Sequence, residues 1–115
     1  MQTAYLTLDP VNAGRAIELG ARCGHAVHLV DLRSTALARE PLLILDLDHL
    51  PAAEHPRLFA LLLPRPRGRL AVHSYNLAAD TIRELLRAGV VVRQRLDATV
   101  FRRLREGNRK AVSGR

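Results

Sequence analysis

Three aspartates stand where apolar runs of this sequence end. Asp9 follows Ala-Tyr-Leu-Thr-Leu at residues 4–8, and Asp46 and Asp48 close the run that begins at Pro41. Carboxylates brought together repel one another and persist when a cation or a proton compensates them, and hard oxygen donors of this kind suit Mg²⁺. Asp9 and Asp46 are therefore candidate Mg²⁺ ligands, and Mg²⁺ is the only cofactor the sequence suggests. Asp46 and Asp48, two residues apart, share a face of a regular strand, while a loop can redirect either. Ser74, after Leu70-Ala-Val-His73, and Arg93 and Arg95, after Val90-Val-Val, place a hydroxyl and positive charge at comparable run ends.

Other chemistries lack their parts. None of the five histidines forms an i,i+4 pair or a Cys-His spacing suited to zinc. They read as ordinary partly buried or surface side chains, with His49 and His73 the two that lie near the acidic loop. The neighbours His73 and Ser74 have no G-x-S-x-G elbow around them, which argues against a hydrolase. No G-x-G-x-x-G follows the first apolar run and no P-loop occurs, so the backbone cradle of a nucleotide site is absent.

Apolar runs and helical patterns alternate along the chain. Residues 4–8, 25–31, 41–48, 70–73 and the stretch from Val90 read as strands; residues 12–23, 54–63, 79–88 and 98–106 read as helices. Asn12 is placed as the N-cap of the first helix and Gly24 as its stop. Residues 34–40 hold only a short helix with Ser34 as its cap, and Ile82, Leu85 and Leu86 form the apolar side of 79–88. The unbroken run at 41–48 suits a strand buried on both faces of a parallel sheet. Five strands alternating with helices imply right-handed crossovers and a three-layer α/β/α sandwich. In such sheets ligands bind beyond the carboxyl ends of the strands, where Asp9, Asp31, Asp46 to His49, Ser74 to Asn76 and Arg93 to Asp97 fall.

Taken together, Leu8-Asp9, Leu-Ile-Leu-Asp46-Leu-Asp-His-Leu-Pro51, His73-Ser74-Tyr75 and Arg93-Gln-Arg95-Leu-Asp97 resemble the switch-point loops of a response-regulator receiver domain of an atypical, degenerate kind. The resemblance covers about residues 3–106. It implies a flavodoxin-like fold with a five-stranded parallel sheet ordered 2-1-3-4-5. It further implies Asp46 as phospho-acceptor, Asp9 as metal ligand and Ser74 as the hydroxyl that senses the phosphoryl group. The sequence departs from the family at several of these positions. Leu8 replaces the first of the paired acids, and the loop from Asp46 to Pro51 is one residue longer, which leaves Asp46 or Asp48 as acceptor. No Lys-Pro follows the fifth strand, so Arg95 or Arg93 must supply the positive charge. The aromatic expected in the fifth strand is also absent, unless Tyr75 substitutes for it from the fourth.

These departures favour a non-enzymatic, receiver-like signalling module that acts through a protein partner or as a homodimer, without standard phosphorylation. Asp9 and Asp46 would then pair with Arg93 or Arg95 as a permanent salt-bridge network. The exposed residues Asp80, Arg83, Glu84 and Arg87 on the helix 79–88 form the expected partner surface. One alternative is a phospho-accepting receiver of a two-component system, using Asp46 with Mg²⁺ and a histidine kinase as partner. Another is a basic, nucleic-acid-associated protein. The net charge of +7 favours an acidic partner, and part of it lies in a basic patch, Arg102, Arg103, Arg105, Arg109 and Lys110, that phosphates would attract. A second cluster, Arg57, Arg65, Arg67 and Arg69, flanks Pro64 and Pro66. Residues 1–106 are read as one domain and 107–115 as a disordered basic tail. A single cysteine, no signal-peptide pattern and no apolar run long enough to span a bilayer lead to the expectation of a cytoplasmic protein with no membrane partner.

Overall fold

A computed structural model describes residues 1–104. The boundary expected at residue 106, the tail, Arg105, Arg109 and Lys110 lie outside the described residues. Five strands, β1 (Gln2–Leu6), β2 (Ala26–Leu29), β3 (Leu43–Asp46), β4 (Leu70–His73) and β5 (Val91–Arg93), form one parallel sheet ordered β2-β1-β3-β4-β5. Between and after them run the helices α1 (Pro10–Arg22), α2 (His55–Leu62), α3 (Ala79–Arg87) and α4 (98–104). This is the three-layer α/β/α sandwich that the alternating pattern implied, with the flavodoxin-like strand order that the resemblance implied.

Strand side chains alternate between the two faces of the sheet, so one sequence fills two cores. Ala4, Leu6, Leu43, Leu45, Leu70 and Val72 face α2 and α3, where Leu58, Leu62 and Leu85 meet them. Tyr5, Ile44 and Ala71 face α1 and α4, packing on Ala16, Val100, Phe101 and Leu104. α1 comes close to its neighbours at Gly20, where a Cβ would lie 2.4 Å from Val27 Cγ2 and 3.1 Å from the Phe101 ring.

Several boundaries differ from the sequence reading, each for a local reason. β1 runs Gln2–Leu6 rather than 4–8, because Thr7 leaves the ladder and turns its hydroxyl to Asp46. α1 is capped by Asp9, not Asn12. The Asp9 carboxylate accepts the Asn12 amide at 3.0 Å, and Pro10 fills the first helical turn, where its missing N–H costs nothing. α1 stops where expected, with Gly24 at φ 83°. Residues 34–40 form a 3-10 turn, Leu37–Arg39, in place of an α-helix; Ser34 Oγ accepts the Ala36 amide and Leu37 plugs into the core. In α3, Leu85 is buried as expected, but Leu86 is 51% exposed, since the helix turns only one narrow side to the sheet.

Candidate functional site

β1, β3 and β4 are neighbours, so their carboxyl ends bring Thr7, Asp46 and His73 together; Asp46 and His73 are direct partners in the ladder. Asp46 is 1% exposed. A carboxylate buried this deeply must be paired or hydrogen-bonded. Its Oδ2 accepts from Thr7 Oγ1 at 2.8 Å, Asn12 Nδ2 at 2.9 Å and His49 Nδ1 at 2.9 Å. A carboxylate only accepts, so His49 Nδ1 must carry its proton here. Three donors, from the residue after β1, from α1 and from the loop after β3, thus converge on one oxygen. The other oxygen, Oδ1, is buried without a hydrogen bond, 3.9 Å from His73 Nδ1.

Behind the carboxylate lies a second pair. Tyr5 and His73 are both buried, and the Tyr5 hydroxyl lies 2.8 Å from His73 Nε2. Burial pushes Tyr5 far above its ordinary pKa, helped by the charge of Asp46, so the phenol keeps its proton. Burial also holds His73 below its ordinary value, although Asp46 and Asp48 pull the other way. The electrostatically consistent arrangement has Tyr5 donating to a neutral imidazole whose Nδ1–H faces Asp46 Oδ1. The opposite tautomer would aim a lone pair at a carboxylate.

Asp48 occupies a different position from Asp46. It is exposed on the loop, where it accepts the Ser74 hydroxyl and, at 2.9 Å, the Tyr75 amide. Desolvation raises its pKa, but the bonds from Ser74, Tyr75 and Asn76, together with His73 nearby, outweigh that and leave it below the ordinary carboxylate value. Ser74 therefore meets Asp48, not Asp46, and its oxygen also accepts the Asn76 amide at 3.0 Å.

The expected salt-bridge network takes another form. Arg93 pairs with Asp97 at 3.2 Å, a nearer acid four residues along the chain, and Arg95 is exposed in a polar groove with Tyr75 and Gln94. Asp9 is tied to Asp46 through Asn12, whose backbone donates to one and whose side chain donates to the other, and through Thr7, whose hydroxyl accepts the Asp9 amide at 3.0 Å and donates to Asp46. Asp80, Arg83, Glu84 and Arg87 share the exposed side of α3, with Asp80 and Arg83 paired. Arg102 and Arg103 are exposed on α4, and Arg102 donates to Thr99 Oγ1 at 3.3 Å.

A magnesium ion needs oxygen donors with free lone pairs in near-octahedral array. Here Asp46 Oδ2 is filled by N–H and O–H donors, the Asp9 carboxylate caps α1, and Leu8, 60% exposed, holds the place of a further acid. Among the described residues, no group of three or more His, Cys, Asp or Glu is placed to hold a metal. Asp46 Oδ1 keeps its lone pairs, but with no such group around it the described residues do not assemble a Mg²⁺ donor set. Nor is any described helix long and apolar enough to cross a membrane.

No family model and no curated protein matches this sequence. Solved structures do match. The receiver domain of ChxR from Chlamydia trachomatis superposes with a TM-score of 0.55 at 12% identity, over 97% of this chain and 94% of that one. The fold is that of a receiver domain. A two-component response regulator from Clostridium difficile matches equally, with TM-score 0.55 and 12% identity over 100% and 97% of the two chains. A Burkholderia thailandensis structure assigned to pilus assembly, CpaE, gives TM-score 0.60 and 21% identity over 98% of both chains. Against the receiver pattern, sequence reasoning singled out Asp46, Ser74, His49 and His73 but missed Thr7, Asn12 and Tyr5. The Asp9-Pro10 pair was the available signal for Asn12, since Pro at the first helical position moves the cap to residue 9 and turns Asn12 towards the site.

Proposed function

We propose that this chain is a non-enzymatic, receiver-like regulatory module that works through protein contacts and holds its central carboxylate permanently instead of phosphorylating it. The observation that carries this reading is the enclosure of Asp46, 1% exposed with three donors on Oδ2. A receiver switches when a phosphoryl group and a cation gather donors at this point. In this chain Thr7, Asn12 and His49 are already gathered by the bare carboxylate, so the sheet end has one arrangement without either. Partner contact falls to exposed faces such as Asp80, Arg83, Glu84 and Arg87 on α3, meeting another protein or a second copy of the chain.

A second reading rests on Asp48. It is exposed and touches the Ser74 hydroxyl, so a phosphoryl group could reach it without opening the core. One experiment separates the readings: incubation with a small phosphodonor or beryllium fluoride and Mg²⁺, followed by mass spectrometry and NMR. Permanent enclosure gives no adduct and no shift. An adduct lost in Asp48→Asn establishes the second reading, and one lost in Asp46→Asn establishes ordinary phospho-acceptance.

A further inference from the structure

At the opposite end of the sheet from Asp46, the turn between α2 and β4 reads Pro64-Arg-Pro-Arg-Gly-Arg69. Its backbone is tightly fixed. Two prolines restrict it, Gly68 adopts φ 79°, the Gly68 amide donates to Gly89 O at 2.9 Å and the Arg69 amide to Pro66 O at 3.3 Å. The arginines on this turn are therefore carried by a rigid mount. Arg67 lies across the α3–β5 turn, where Gly89, at φ 80°, leaves room for it; a Cβ there would sit 2.5 Å from Arg67 Cγ. Its Nη1 donates to the Arg87 carbonyl at 3.3 Å, which places the Arg87 main chain beside it.

None of Arg65, Arg67, Arg69 and Arg87 forms an ion pair among the described residues. Arg65 is held only by main-chain oxygens, those of Glu40 and Pro41. The nearby acid, Glu40, lies 3.0 Å from His28 and offsets the Arg65 charge in part. Arg65 Nε and Nη1 and Arg69 Nε are buried with no hydrogen-bond partner. Desolvation and then the like charge of Arg69 push the Arg65 guanidinium below its ordinary pKa, against the opposing pull of Glu40. Like charges gathered on a rigid turn, with donors left unfilled, are well placed to be completed by an anion.

We propose that the 64–69 turn is a binding site for a phosphate-type oxyanion, with Arg65 and Arg69 as inner ligands and Arg67 and Arg87 at the rim. Planar guanidinium forks match such an anion in charge and geometry. Arg65 and Arg69 are both partly exposed, so on binding their long side chains exchange a desolvated corner for ligand oxygens. The site shares no residue with the Asp46 cluster, and stands or falls independently of the function proposed above.

The test is a titration of the full chain with inorganic pyrophosphate, followed by NMR of the arginine Nε–H signals and the backbone amides of residues 65, 67–69 and 89. Saturable shifts centred there are expected. Affinity should fall about tenfold or more in Arg65→Gln/Arg69→Gln and stay unchanged in Arg22→Gln/Arg33→Gln, which removes equal charge elsewhere. Absence of saturable shifts, or equal loss in both double variants, overturns the site. If the inner variant does not fold, Arg67→Gln/Arg87→Gln carries the test with an expected loss of about threefold; no loss there overturns the site as well. Competition by a short DNA duplex at the same signals identifies a nucleic-acid backbone as the source of the phosphate. Failure to compete identifies a free phosphate compound, and both results support the site.

Discussion

Asn12→Ala removes one of the three donors on Asp46 Oδ2 and leaves the α1 cap intact, because the cap uses the Asn12 backbone amide. The bond is 2.9 Å long, its acceptor is almost fully buried, and its donor side chain is partly exposed. A hydrogen bond to a charged group contributes about 1.5–3 kcal/mol, and the partial exposure of Asn12 puts this one near 1.5 kcal/mol. Against a typical domain stability of about 5–15 kcal/mol this is a measurable loss, equivalent to a fall of roughly 6–10 °C in Tm. Urea unfolding of Asn12→Ala, Asp46→Asn and the double variant closes a cycle whose coupling should be about 1–1.5 kcal/mol. Adding Mg²⁺ should change none of these values, since the carboxylate is compensated by side chains. A coupling near zero, or wild-type stability that climbs with Mg²⁺, would show that the donors seen around Asp46 are not what holds it.

Other consequences follow from neighbouring contacts. Tyr5→Phe leaves His73 Nε2 buried without its donor and should cost about 1–3 kcal/mol, whereas Tyr5→Phe/His73→Leu should recover part of that loss by removing both partners; urea midpoints at constant m-value check it. His73 has a folded pKa below its unfolded value, so on acidification the unfolded state takes up its proton first. The associated stability is present above about pH 6.5 and is lost as pH falls from there through the folded pKa; the slope of stability against pH in that window should flatten in His73→Gln. Ser74→Ala should raise the Asp48 pKa towards the ordinary carboxylate value, read from its side-chain carbon shift in a pH titration. Gly20→Ala forces a methyl against Val27 and Phe101 and should cost about 1–3 kcal/mol by thermal unfolding.

The order of elements was legible because short, wholly apolar runs such as residues 42–45 have few alternatives to a central parallel strand. β4 was read to its ends, and Val100, Phe101 and Leu104 are fully buried, as their helical spacing implied. Side chains at the site were less legible, because they act across the fold. Thr7 and Asn12 meet Asp46 only because β1 lies beside β3, at sequence separations of 39 and 34 residues. Tyr5 sits in the apolar run 4–8, and its hydroxyl meets His73, 68 residues away. Arg93 or Arg95 was expected at Asp9 and Asp46, but Arg93 pairs with Asp97, four residues along the chain.

The central claim is that Asp46 is permanently enclosed, and the most direct measurement is NMR of the labelled chain with beryllium fluoride and Mg²⁺. The account predicts that the amide signals of Thr7, Asn12, Asp46, His49 and His73 stay in place at saturating reagent. Displacement of those signals, absent in Asp46→Asn, would contradict it.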